Sequence, residues 1–171
     1  MKLVRILAAA LVLVAAGLMG LVRFAPVDPA QWHVSPALIA PESSGWRTSV
    51  LYPPGSTDGP IKMARGAYAA VFFRNGIGQE VLAQLDAVAM ATPRTTRIAG
   101  SPEEDRITWQ VRSAFWGFPD YVTAEVEQRA SIGTTFSEGP GVMLHIVSRQ
   151  RFGSGDHGVN AARLTSWLSA F

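Results

Sequence analysis

Three segments in the second half of the chain alternate apolar and polar residues with a period of two. Ile107, Trp109, Val111 and Ser113 alternate with Thr108, Gln110 and Arg112; Val122, Ala124 and Val126 alternate with Tyr121, Thr123, Glu125 and Glu127. After Gly139-Pro140-Gly141, which ends a polar loop, Val142, Leu144 and Ile146 mark a third inward face. A strand sends successive side chains to opposite faces, so the pattern demands half-buried strands resting one face on a core. A helix cannot satisfy it. Ala67 to Phe73 adds a short apolar strand ended by Arg74-Asn75-Gly76, and Arg94 to Ile98 another short strand.

What covers that face is read from helical spacing. Val81, Leu82, Leu85, Val88 and Ala89 predict a helix from about Gln79 to Ala91, stopped by Thr92-Pro93. Asp156 is placed as the N-cap of a last helix from about His157 to Ala170, with Val159, Asn160, Leu164, Trp167 and Phe171 on one face. The expected fold class is therefore α+β: an antiparallel sheet of about four to five strands covered on one face by two helices, preceded by an N-terminal membrane helix.

That membrane segment is Ile6 to Val22, an uncharged run preceded by Lys2 and Arg5 and followed by Arg23. Counted over residues 3–22, with Arg5 snorkelling, it reaches the roughly 20 residues needed to cross about 30 Å of hydrocarbon. The length favours a retained anchor; a signal peptide cleaved near Ala15-Ala16-Gly17 is the alternative. Basic residues ahead of the run keep the N-terminus cytoplasmic. The expected location is the inner membrane, single-pass, with the C-terminal domain in the periplasm. With no cysteine there is no lipoprotein attachment, disulfide or thiolate site.

The expected division is 1–24 anchor or signal peptide, 25–65 extended connector packing on the domain, and 66–171 a single α+β domain. The connector is rich in proline, with no sustained period, and Trp32, Trp46 and Tyr52 suggest that it packs on the domain. Trp32 and His33 are assigned an interfacial or packing role. Without Lys2, Arg5 and Arg23, the 15 basic residues fall to 12 against 13 acidic ones. This near-neutral balance lacks the clustered positive charge of a nucleic-acid binder.

Parity sorts the polar residues. Arg112, Tyr121, Thr123, Glu125, Glu127, His145, Arg149 and Arg151 fall opposite the aliphatic stripes, where they read as a solvated face with cross-strand ion pairs. Asp120, Ser148 and Gln150 fall on the helix side, and Asn160 points there if the last helix docks by Leu164 and Trp167. A buried carboxylate needs a partner, and Arg163, one turn beyond Asn160, is the natural one. Asp120, Ser148, Arg149, Arg151, Asp156, Asn160 and Arg163 are therefore the candidate functional or structural polar residues. No catalytic residue is assigned.

Two motifs carry a resemblance. Ser148-Arg149-Gln150-Arg151-Phe152-Gly153 followed by Asp156, Gly158, Asn160 and Arg163, and Gly117-Phe118-Pro119-Asp120 upstream, resemble the signatures of a bacterial envelope family known as domain of unknown function 1499. The likeness runs over roughly residues 80–171, and the Asp28 to Pro36 segment resembles that family's post-anchor stretch. His157 departs from the pattern, where an apolar residue is expected. The resemblance implies a membrane-anchored envelope protein and transfers no catalytic residue. The function expected is a non-catalytic domain that binds an envelope protein or a small anionic ligand, without cofactor or metal. The alternative is a periplasmic hydrolase using Ser148 with His157 or His145 as base and Asp120 or Asp156 orienting it. Ser148 lies mid-strand rather than on a nucleophile elbow. The three histidines, at 33, 145 and 157, lack zinc-ligand spacing.

Overall fold

A computed structural model describes residues 1–39, 59–129, 140–155 and 157–170. The chain opens with α1 (Lys2–Arg23), one N-terminal helix long and apolar enough to cross a membrane, with none of its residues buried against the rest of the protein. A helical turn, α2 (Pro29–Trp32), and a 3-10 turn (Pro36–Leu38) follow. Asp28 caps α2 by accepting from the Ala30 amide at 3.1 Å.

The domain is a six-stranded antiparallel sheet in the order β1-β2-β6-β5-β4-β3. Its strands are β1 (Ile61–Met63), β2 (Gly66–Arg74), β3 (Thr95–Ser101), β4 (Arg106–Arg112), β5 (Pro119–Arg129) and β6 (Gly141–Gln150). Two helices, α3 (Gly78–Ala91) and α4 (Val159–Leu168), lie on one face. The fold is α+β, with one strand more than the upper expectation. The addition is β1, three residues that pair Lys62 with Ala67 at the sheet edge and are too short for any period to be seen.

Alternation places Ile107, Trp109, Val122, Ala124, Leu144 and Ile146 under Leu82 and Leu85 of α3 and Leu164 and Trp167 of α4, all essentially inaccessible to water. The Trp109 and Trp167 rings meet edge to face at 5.6 Å. Their polar ends are satisfied: Trp109 Nε1 donates to Asp86 at 2.8 Å and Trp167 Nε1 to the Thr92 hydroxyl at 2.9 Å. Thr92 thus ends α3 and ties it to α4.

The last helix starts later than expected. Its first residue is Val159 and its N-cap is Gly158, at φ 83°, without a side-chain cap. His157 and Gly158 both pass through the left-handed region, which delays the helical hydrogen bonds. Asp156, and the cap assigned to it, lie outside the described residues. Its buried face uses Asn160, Ala161, Leu164 and Trp167, whereas Val159 is exposed and Phe171 is outside the described residues.

The opposite sheet face corrects a second expectation. Tyr121 and Thr123 are fully buried and His145 nearly so, not solvated. The segment from Pro26 to Ile39 lies across them as a strap. Trp32 stacks on Tyr121 with centroids 3.9 Å apart and planes 18° from parallel. His33 Nδ1 is 2.9 Å from the Thr108 hydroxyl, and the Thr123 hydroxyl donates to the Trp32 carbonyl at 2.8 Å. Ser35 hydrogen-bonds Glu125, which also pairs with Arg106 on the next strand. A smaller apolar cluster of Tyr68, Ala70 and Val147 packs against Ile39, Ile61 and Met63. Packing is thus the observed role of Trp32 and His33, while Trp46 and Tyr52 are outside the described residues.

Candidate functional site

Four of the sequence-selected polar residues meet at one end of the sheet. Antiparallel pairing sets Asp120 opposite Gln150 and Val122 opposite Ser148, bringing the start of β5 beside the end of β6. On α4, Asn160 and Arg163 are one turn apart and face these strand ends. Arg163 Nη2 donates to Asp120 Oδ2 at 2.9 Å and its Nη1 to Ser148 Oγ at 2.9 Å. Nη1 also donates to Asn160 Oδ1, which accepts from the Ser148 hydroxyl as well. Ser148 and Asn160 are completely buried, and the side chains of Arg163 and Asp120 are only 11% and 18% exposed. The guanidinium is thereby divided among a carboxylate, a hydroxyl and an amide oxygen.

Arg149 in β6 and Arg151 just beyond its end point the other way. Arg149 spreads 5.0 Å from the centre of the Trp32 ring and donates to the Trp32 carbonyl. Burial lowers the pKa of this arginine. Arg151 Nη1 donates to the Pro26 carbonyl at 3.0 Å and lies 3.3 Å from the Tyr121 hydroxyl. Arg149 and Arg151 therefore belong to the strap, on the face opposite Asp120, Ser148, Asn160 and Arg163.

The nucleophile reading is disfavoured by these contacts. The hydroxyl of Ser148 gives its proton to an amide oxygen and receives one from an arginine, and neither partner is a base. His145 Nδ1 is 2.7 Å from the Tyr68 hydroxyl on the other side of the sheet, and His33 is engaged with Thr108. His157 is exposed at the turn before α4. Burial is the main cause that lowers the pKa of both His145 and His33. Among the described residues no three histidine or acidic side chains come together as metal ligands.

Beside the cluster runs the Phe115–Phe118 turn between β4 and β5. It is closed by Ser113, whose amide donates to the Phe118 carbonyl and whose hydroxyl accepts from the Phe118 amide, both at 2.9 Å. Arg112 Nη1 donates to the Gly117 carbonyl at 2.9 Å, and Gly117 takes φ 70°. The turn holds its aromatic rings outward: Phe115 packs edge to face on Trp116, which stacks on Phe118.

Strand parity selected Asp120 and Ser148 and helical spacing Asn160 and Arg163, but nothing in the sequence announced the Trp32, Tyr121 and Arg149 stack or the Tyr68 and His145 pair. The only available signal was a hydroxyl or imidazole inside otherwise apolar strand runs. The family model described as Protein of unknown function (DUF1499) matches residues 62–171. No curated protein matches the chain.

Proposed function

The chain belongs to the DUF1499 family, whose function is unknown, and from that premise we propose that it is a non-catalytic, membrane-anchored domain of the bacterial cell envelope that binds a protein partner or a small anionic ligand. In this reading α1 stays in the inner membrane as a single pass and the domain lies in the periplasm. Residues 25–65 connect the two and end in β1 at the sheet edge, and 66–171 supply the rest of the one domain. The length and apolar character of α1, with Lys2 and Arg5 in its first turn ahead of the uncharged run, support the location. The anionic-ligand reading draws support from Arg65, Arg94, Arg112 and Arg151, which gather at one end of the sheet.

One observation carries the non-catalytic part: the polar groups that would do chemistry are spent on each other. Ser148 is fully buried, and its hydroxyl partners are Asn160 and Arg163. We assign Asp120, Ser148, Asn160 and Arg163 the structural task of joining the Gly-Phe-Pro-Asp turn, the end of β6 and α4.

A fluorophosphonate probe on the full-length protein tests this: no adduct forms at Ser148, and an adduct there that is lost in Ser148→Ala restores the hydrolase. N-terminal sequencing tests the anchor. The purified protein begins at or beside Met1; a start near Phe24 shows a cleaved signal peptide instead.

A further inference from the structure

We infer that the Phe115–Phe118 turn is a membrane-docking element: its aromatic side chains enter the lipid interface beside α1, and the surrounding arginines meet anionic headgroups. This deepens the anionic-ligand reading above by naming the anion as lipid, and it rests on α1 being a retained anchor.

Exposure is the first observation. Phe115 is 74% exposed, Trp116 47% and Phe118 37%, and Phe24 at the end of α1 is 82% exposed. Four large aromatic side chains left in water at one place are costly for a soluble surface, whereas tryptophan and other aromatic rings are favoured at the boundary between hydrocarbon and headgroups.

Position is the second, and it is independent of composition. A Cβ on Gly117 would lie 2.8 Å from Arg23 Nη1 and 3.5 Å from its Cγ, so the tip of the turn touches the last residue of α1. The Pro26 carbonyl, three residues further on, is held by Arg151 at 3.0 Å. Three residues span at most about 10 Å. This end of the sheet therefore lies within one headgroup layer of the point where the apolar helix ends.

Charge is the third. Strand register brings Arg65, Arg94, Arg112 and Arg151 to the same end of the sheet as the turn, with Arg23 alongside. The carboxylates described there are occupied, Asp28 by the Ala30 amide and Asp120 by Arg163. Glu103, Glu104 and Asp105 sit between β3 and β4 at the opposite end. Arg74, Arg106 and Arg129 share that opposite end and leave it mixed in charge, whereas the aromatic end is predominantly basic, which suits an anionic lipid surface.

The absence of native cysteine makes the test direct. Full-length Phe115→Cys, and Glu103→Cys as the distal control, are labelled with an environment-sensitive NBD dye and reconstituted into phosphatidylcholine vesicles with or without phosphatidylglycerol. Each vesicle set carries a shallow nitroxide lipid. At position 115 the emission shifts to the blue and is quenched, more strongly with phosphatidylglycerol, while position 103 shows neither effect. Equal, unquenched emission at both positions overturns the proposal. A blue shift without nitroxide quenching also overturns it, because protein then covers the turn. Quenching that is equal in the two lipid mixtures overturns the anionic-headgroup part. Alkaline carbonate extraction of the same samples separates the premise: protein released from the vesicles refutes the anchor itself, whereas resistant protein with an unquenched label refutes only the docking.

Discussion

Removing the charged pair from the Asp120, Ser148, Asn160 and Arg163 cluster should cost less than its two single removals added together. Truncating one member of a buried ion pair costs about 3–5 kcal/mol, because the other charge is stranded. Here Asp120 retains 18% exposure, so some water reaches the carboxylate and the lower end of that range applies. Arg163→Met additionally strips a hydrogen bond from both Ser148 and Asn160, two fully buried groups. At about 1 kcal/mol each, those losses place Arg163→Met near 5 kcal/mol and Asp120→Asn near 3 kcal/mol. The double variant has no uncompensated charge and should cost less than the sum by about 1–3 kcal/mol. For a chain of this size each kcal/mol is about 2–4 °C of Tm, so Asp120→Asn should melt roughly 6–12 °C below wild type. The assay is tryptophan fluorescence of detergent-solubilised full-length protein during urea and thermal unfolding. Single variants as stable as wild type would refute the structural assignment and make the cluster an anion or substrate pocket. Full additivity would show that Asp120 and Arg163 are not energetically coupled.

Acid should weaken the domain through His145 and His33, whose pKa values are lowered from 6.5 chiefly by burial. Below 6.5 the unfolded chain takes up protons that the folded rings refuse, so stability falls as pH drops toward the folded pKa; melts of His145→Gln should show a flatter decline, and an unchanged slope would argue against that histidine. Gly100 sits at φ 78°, where an added Cβ would strike the Arg106 carbonyl and come within 2.7 Å of His33 Cε1. Gly100→Ala should therefore cost more than the roughly 1–2 kcal/mol of a left-handed alanine, whereas Gly155→Ala, with nothing within 4 Å, should be near neutral; equal melting of the two would remove the steric argument. Trp32→Ala should cost about 1–3 kcal/mol by removing the Tyr121 stack and the Arg149 contact, with Trp32→Phe recovering much of it, and limited proteolysis should newly cut between Pro26 and Ile39. Protection unchanged in Trp32→Ala would mean that the ring does not hold the strap.

The helix-covered face of the sheet was legible because burial on one side forces a period of two, and Val122 or Ile146 cannot be shifted by one place without exposing the whole stripe. The cluster was legible for a related reason: strand parity puts Asp120 and Ser148 on one side, and a three-residue spacing puts Asn160 and Arg163 on one face of α4. Local turn chemistry was less readable. The helix expected from His157 begins at Val159 instead, because His157 and Gly158 take left-handed backbone. β1 was hidden by its brevity.

The misread face has a more general cause. Period-two reasoning equates polar with solvated, but hydroxyls, imidazoles and guanidinium groups can be buried when a covering segment supplies their partners. That segment has no period of its own, since it meets the sheet through single residues: Trp32 on Tyr121, His33 on Thr108, Ser35 on Glu125, and the Trp32 and Pro26 carbonyls on Thr123, Arg149 and Arg151. These contacts begin three residues after α1 ends and spread over β4, β5 and β6. A loose tether would let the domain rotate freely about α1. A strap bonded at this many points cannot, because turning the domain relative to Pro26 requires breaking the stack and several partly buried hydrogen bonds together. The polar sheet face consequently fixes which end of the domain is presented to the plane in which α1 ends, and that end is the one carrying Phe115, Trp116 and the strand-end arginines.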